Sequence, residues 1–255
     1  MKRIPLLVMF AALLHISCNK DDSIVQTHQY DERSSGNLPI SPVNAIVIQN
    51  QLGPVIIEGS SDTSVVGWFL NKSVTAESQA AANQVFSQIL VNLQTSNDTA
   101  YVSVQIPSGT TTYSSLLSLT LPAHIPCILR RVSGTSNVSY LQSSFVGEDV
   151  ATTTVQAHQG DCVLSGSNGD ASVEISLPDS GLCRVVFTTG NITLRIPTTT
   201  SSMLAAQTGN GTILHSGLVI GDSVRTANSL TGRLGTGRGN IQLTTGTGNI
   251  SITGF

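Results

Sequence analysis

The chain has 255 residues, of which 11% are charged and 4% aromatic, with a formal net charge of −3. That length holds one large or two small domains with a sizeable core. The mildly acidic balance and the lack of a long basic run argue against a nucleic-acid partner. Thr, Ser, Gly, Val and Ile dominate, a strand-and-turn composition.

Residues 1–17, MKRIPLLVMFAALLHIS, have a basic start, an apolar middle and a small final residue, the form of a secretory signal segment. It stops at Cys18 and resembles the signal of bacterial lipoproteins, which ends in a short box before an acylated cysteine. Leu14, Ile16 and Ser17 suit that box, whereas His15 stands where Leu is usual. The resemblance implies lipidation of Cys18. It also implies a membrane partner through the lipid, and a place at the bacterial outer membrane, on its surface or periplasmic side. An ordinary secreted protein with a coincidental cysteine is the alternative. After residue 18 no apolar stretch is long enough to cross a bilayer as a helix.

Residues 18–41 are polar and read as a flexible tether. Within them Asn19-Lys20-Asp21-Asp22 resembles the Lys-acid-acid signal that sends some lipoproteins to the cell surface; a solvated charge cluster explains it equally. Residues 42–122 read as a cap. Strands are expected over 44–49 (NAIVIQ), 54–58 (PVIIE), 65–70 (VVGWFL), 89–94, 101–107 and 116–122, with one Ala-rich helix over 76–88. Such a cap would cover the open edge of the repeats that follow.

Residues 123–255 carry a repeated unit in which a turn-forming Gly-Asn or Gly-Asp precedes strict apolar–polar alternation. It is clearest at Gly239-Asn240-Ile241-Gln242-Leu243 and Gly248-Asn249-Ile250-Ser251-Ile252, and recurs at Gly169-Asp170 and Gly190-Asn191. Weaker copies begin at Gly160 and Gly209. The marker glycines at 160, 169, 190, 209, 239 and 248 suggest a coil of about 20 residues with two short strands per turn. The expected fold is all-β, a parallel β-solenoid or β-helix with an N-terminal strand-and-helix cap, so that 42–255 make one domain. An antiparallel meander or sandwich is the competing architecture. Ile192, Leu194, Ile196, Ile241, Leu243, Ile250 and Ile252 should share one core. Ser172, Glu174, Thr193, Arg195, Gln242, Thr244 and Ser251 should form a flat polar face.

In order along the chain come a hairpin around Gly53, the Ala-rich helix near residue 80, strands ending in Ile106-Pro107 and Leu121-Pro122, and the Gly-[Asn/Asp] turns. Together they resemble the putative adhesin family of bacterial envelope proteins, over about residues 43–255. The resemblance implies a β-solenoid in the cell envelope and brings no catalytic residues.

Three cysteines remain beyond Cys18. Cys162 and Cys183 each lie seven residues before a marker glycine, and so should occupy one slot on successive turns. Either a ladder of stacked thiols or a disulfide fits that placement. No Cys-x-x-Cys, HExxH or GxSxG occurs, so no metal, cofactor or catalytic residue is expected. Asp161 and Asp170 hold the turn slot that Asn fills elsewhere, which favours turn chemistry over catalysis. The functional expectation is a non-enzymatic, lipid-anchored surface that binds a glycan or a protein. A carbohydrate-active β-helix enzyme and a structural or signalling-associated envelope module are the rivals.

Overall fold

The computed structural model describes residues 26–40, 43–50, 53–61, 65–106 and 112–255. Cys18 and Lys20-Asp21-Asp22 lie outside the described residues. The N-terminal part runs β1 (His28–Pro39), β2 (Ala45–Gln49), β3 (Val55–Ser60), β4 (Val65–Ala76), α1 (Gln79–Phe86), β5 (Leu90–Ser96), β6 (Thr99–Gln105) and β7 (Tyr113–Pro122). Short strands follow: β8 (Cys127–Val132), β9 (Ser136–Ser139), β10 (Phe145–Val150), β11 (Thr153–Gln159), β12 (Cys162–Asn168), β13 (Ala171–Ser176), β14 (Leu182–Thr189) and β15 (Ile192–Ile196). The C-terminal part is β16 (Ser202–Asn210), β17 (Ile213–Ser216), β18 (Ile220–Arg225), β19 (Ser229–Leu234), β20 (Gly239–Thr247) and β21 (Ile250–Gly254).

Among the described residues these strands form two large mixed sheets, neither closed into a barrel. The ten-stranded sheet has the order β1-β4-β7-β3-β9-β11-β13-β15-β21-β17. The eleven-stranded sheet has the order β18-β19-β16-β20-β14-β12-β10-β8-β2-β6-β5. From β8 to β15 the chain alternates between the sheets, and each strand pairs in parallel with its equivalent one turn away. Antiparallel pairs sit only at the ends: β1 with β4, β4 with β7 and β5 with β6 at one, β16 with β19 and β18 with β19 at the other.

Alternation dictates which side chains are inside. Ala100, Ile46, Cys127, Phe145, Cys162, Cys183, Ile241 and Leu204 form one in-register column across the eleven-stranded sheet, all buried. Ile192, Leu194, Ile196, Ile241, Leu243, Ile250 and Ile252 belong to the same core cluster.

The corners between sheets are held by a glycine column and a polar column beside it. Gly169, Gly190 and Gly248 have φ of 135°, 140° and 145°, which side chains strongly disfavour. Next to them, Asp170 Oδ1 accepts from the Asn191 backbone N–H (2.7 Å), Asn191 Oδ1 from that of Asn249 (2.9 Å), and Asn249 Oδ1 from that of Thr212 (2.9 Å). Asp161 Oδ1 likewise accepts from Leu182 N–H at 2.8 Å. Each turn side chain thus satisfies a backbone donor of the neighbouring turn.

Three features depart from the sequence reading. Residues 28–39, expected within the tether, form β1, which pairs with β4 along its whole length. Its side chains are mostly exposed, so main-chain hydrogen bonds hold it and composition could not reveal it. The helix is shorter than expected, beginning at Gln79 because the Ser78 side chain accepts from Ala81 N–H and caps it there. It docks on β4 through Ala82 and Phe86, and buried Lys72 donates to the Phe86 carbonyl (3.1 Å) and to Glu32 on β1 (2.7 Å). That places a positive charge at the negative end of the helix. Finally, turns do not stack in sequence order at the C-terminus: β20 and β21 slot between β14–β15 and β16–β17.

Candidate functional site

The polar residues expected on one face divide between two. Ser172, Glu174, Thr193, Arg195 and Ser251 lie on the ten-stranded sheet, whereas Gln242 and Thr244 lie on the other, because successive strands belong to opposite walls. On the first wall Glu174 pairs with Arg195, whose guanidinium carbon lies 5.2 Å from the Phe255 ring centroid.

The second wall carries a denser cluster that the sequence reading did not single out. In β8, Leu129-Arg130-Arg131-Val132 puts two charged residues between inward ones; in β10, Gly147-Glu148-Asp149-Val150 does the same. Register pairs Arg130 with Glu148 and Val132 with Val150, leaving Arg131 and Asp149 as matching extra residues in adjacent strands. Both have left-handed backbones, at φ 52° and 53°. This is a bulge repeated on consecutive turns, and it turns two successive side chains outward in each strand. Arg130 Nε donates to Glu148 Oε2 at 2.7 Å, with both side chains nearly half exposed. The signal in sequence was the shared pattern of CILRRV and FVGEDV, each breaking alternation at the same point.

Two hollows that share Arg131 and Asp149 in their linings flank this bulge. One, of about 340 Å³, is lined by Val47, Gln49, Tyr101, Arg130, Arg131, Glu148 and Asp149. The other, of about 420 Å³, has Arg131 and Asp149 on one side and Ser167 and Asn168 on the other. Tyr101, 43% exposed, stands at one end of an outward in-register row that continues through Val47, Ile128, Val146 and Val163.

The cysteines lie elsewhere, in the interior. Cys162 and Cys183 are register partners on β12 and β14, and both are free thiols with no exposure. Cys127 shares their column with Phe145 between it and Cys162. Burial pushes Cys127 and Cys183 up to about 12 and raises Cys162 well above the ordinary thiol value, so none is a ready nucleophile. Among the described residues no three His, Cys, Asp or Glu side chains converge as a metal site would need.

His158 is also internal, edge-on to Phe145, and its Nε2 donates to the Asp161 carbonyl at 2.8 Å. Burial lowers its pKa below the ordinary 6.5, outweighing the raising effect of the Asp161 and Leu141 carbonyls and the Asp161 carboxylate. The unfolded chain therefore takes up this proton first. The stability that neutral His158 contributes is present above about pH 6.5 and is lost as pH falls toward the lower folded value. His158→Gln retains a donor for the Asp161 carbonyl but does not titrate. Its melting temperature should differ less between about pH 7.5 and about pH 5.5 than that of the wild type. Equal differences in the two proteins would show that His158 titrates alike in the folded and the unfolded chain.

No family model matches the chain, and no curated protein matches it. Among solved structures it is similar to one named as a putative cell adhesion protein from Clostridium sporogenes, at 14% identity and a TM-score of 0.49, covering 89% of this chain and 100% of that one. A structure named as a putative adhesin from Bacteroides fragilis aligns at 10% identity and a TM-score of 0.37, over 87% of this chain and 97% of that one. One named as a putative lipid binding protein from Parabacteroides distasonis aligns at 10% identity and a TM-score of 0.27, over 88% of this chain and 96% of that one.

Proposed function

We propose that this protein is a lipid-anchored binding module of the bacterial envelope: a non-enzymatic, adhesin-like β-solenoid that presents its walls to an external ligand. The observation that carries this reading is the division of polar groups. The corner side chains are committed to the neighbouring turn, the three thiols among the described residues are buried, and one regular wall carries an outward cluster of Arg130, Arg131, Glu148 and Asp149. A rigid wall with an outward cluster suits recognition, whereas an enzyme needs groups converging in an enclosed cleft. The export-type N-terminus supports the envelope location, with Lys2 and Arg3 before an apolar run and Ser17 before Cys18.

Two or more acyl chains on Cys18 would hold the protein on a membrane, since each buried methylene contributes about 0.8 kcal/mol. Cys18→Ala should lose fatty-acid label and leave the membrane fraction as folded protein, because Cys18 precedes every described strand. A wild type without label, or a mutant that stays with the membrane, would overturn the anchor. The surface reading rests on Lys20-Asp21-Asp22 and is checked separately by protease added to intact cells.

A further inference from the structure

We propose that the groove over Arg130, Arg131, Glu148 and Asp149 binds an uncharged oligosaccharide, with Tyr101 as its stacking platform; this rests on the reading of the chain as a binding module. Charge balance selects the ligand class. Two guanidiniums face two carboxylates on neighbouring strands, one pair already joined at 2.7 Å. An anion would meet Glu148 and Asp149, and a cation would meet Arg130 and Arg131, so neither gains from the site as a whole. A neutral ligand dense in hydroxyls can donate to the carboxylates and accept from the guanidiniums.

The apolar side of the groove fits the same class. A sugar ring has a C–H face and an equatorial belt of hydroxyls. Exposed Tyr101 offers an aromatic face, and Val47, Ile128, Val146 and Val163 continue an apolar row parallel to Gln49, Arg130 and Glu148. The hollows run from Tyr101 on β6 across β2, β8 and β10 to Ser167 and Asn168 on β12. Four strand spacings make about 19 Å, the length of a short oligosaccharide rather than a monosaccharide. An extended peptide is disfavoured here, because it would add to a sheet edge and these are inner strands with their main-chain groups already paired.

Arg131 and Asp149 are two of seven non-glycine residues at positive φ among the described residues, and in their case the bulge turns both side chains outward to the groove on two consecutive turns.

The experiment uses the detergent-solubilised full chain and calorimetric titration. The neutral probes are cellohexaose, chitohexaose, maltohexaose and mannohexaose, with oligogalacturonate and the chitosan hexamer as charged comparisons. At least one neutral hexasaccharide should bind, and Tyr101→Ala and Arg131→Gly should each weaken it about tenfold. Arg131→Gly should also hold or raise the melting temperature, because it removes backbone strain, so lost binding cannot be ascribed to unfolding. Met203→Ser, on β16 at the far end of the sheet, should leave affinity unchanged. Absence of binding to all four neutral probes, binding that survives both groove substitutions, or tighter binding of a charged probe would each overturn the proposal. Those results leave Cys18-dependent anchoring untouched, so the two readings fail separately.

Discussion

Gly190→Ala is expected to destabilise the protein by at least about 3 kcal/mol, seen as a fall of about 6–12 °C in melting temperature. Gly190 makes the corner from β14 to β15 at φ 140°. A Cβ built there would lie 1.8 Å from the carbonyl oxygen of Gly169, the corresponding corner one turn away. That neighbour is backbone fixed by its own ladder, since Gly169 N–H donates to the Thr189 carbonyl at 3.1 Å and Gly190 N–H to that of Thr247 at 2.8 Å. Relieving the clash means moving a turn, which opens the stack on both sides. Backbone strain alone contributes about 1–2 kcal/mol and the steric displacement the rest. Gly221→Ala is the comparison: its Cβ would meet nothing closer than 3.6 Å, and the expected change is within about 0.5 kcal/mol. Similar melting shifts in the two variants would contradict close corner stacking.

Leu194→Lys should cost about 3–5 kcal/mol. Leu194 has no exposure and lies in an inward column between Val173 and Ile252. An ammonium group in that column has no partner, and the closely packed walls leave no path to water. Arg195 is its neighbour on the opposite side of the strand, paired with Glu174 and stacked near Phe255. Arg195→Lys retains the charge and loses the planar stack. With the side chain about half exposed, its cost should stay below about 1 kcal/mol. Denaturant titration of both variants checks the register directly. Equal midpoints would mean that β15 does not present Leu194 inward.

Much of the interior was readable from the chain because burial follows period two. The run Ile192-Thr193-Leu194-Arg195-Ile196 states its own inside and outside, and so does Ile250-Ser251-Ile252. The turn role of Asp161 and Asp170 was readable for a similar local reason, since a Gly followed by Asn or Asp marks a corner. The groove was only half legible. CILRRV and FVGEDV each show a charged doublet where alternation predicts one outward residue, but nothing in either segment says that the other lies beside it. Tyr101 joins them through β2, from a strand 29 residues upstream of Arg130, a proximity that only sheet order creates.

What the sequence determined by itself was therefore local: which residues alternate, where the chain must turn, and which side chains go inward. Tertiary structure alone decided which strand lies beside which. Cys183, Ile241 and Leu204 head strands with nearly the same inward pattern, so each could pair with either of the others, yet β20 stands between β14 and β16. The choice follows from completing hydrogen bonds over the whole stack: β16 is held on its outer side by antiparallel β19, which leaves the inner slot for β20. The same accounting explains β1, which has little to bury but twelve residues of backbone to pair, and so closes the edge that β4 would otherwise expose.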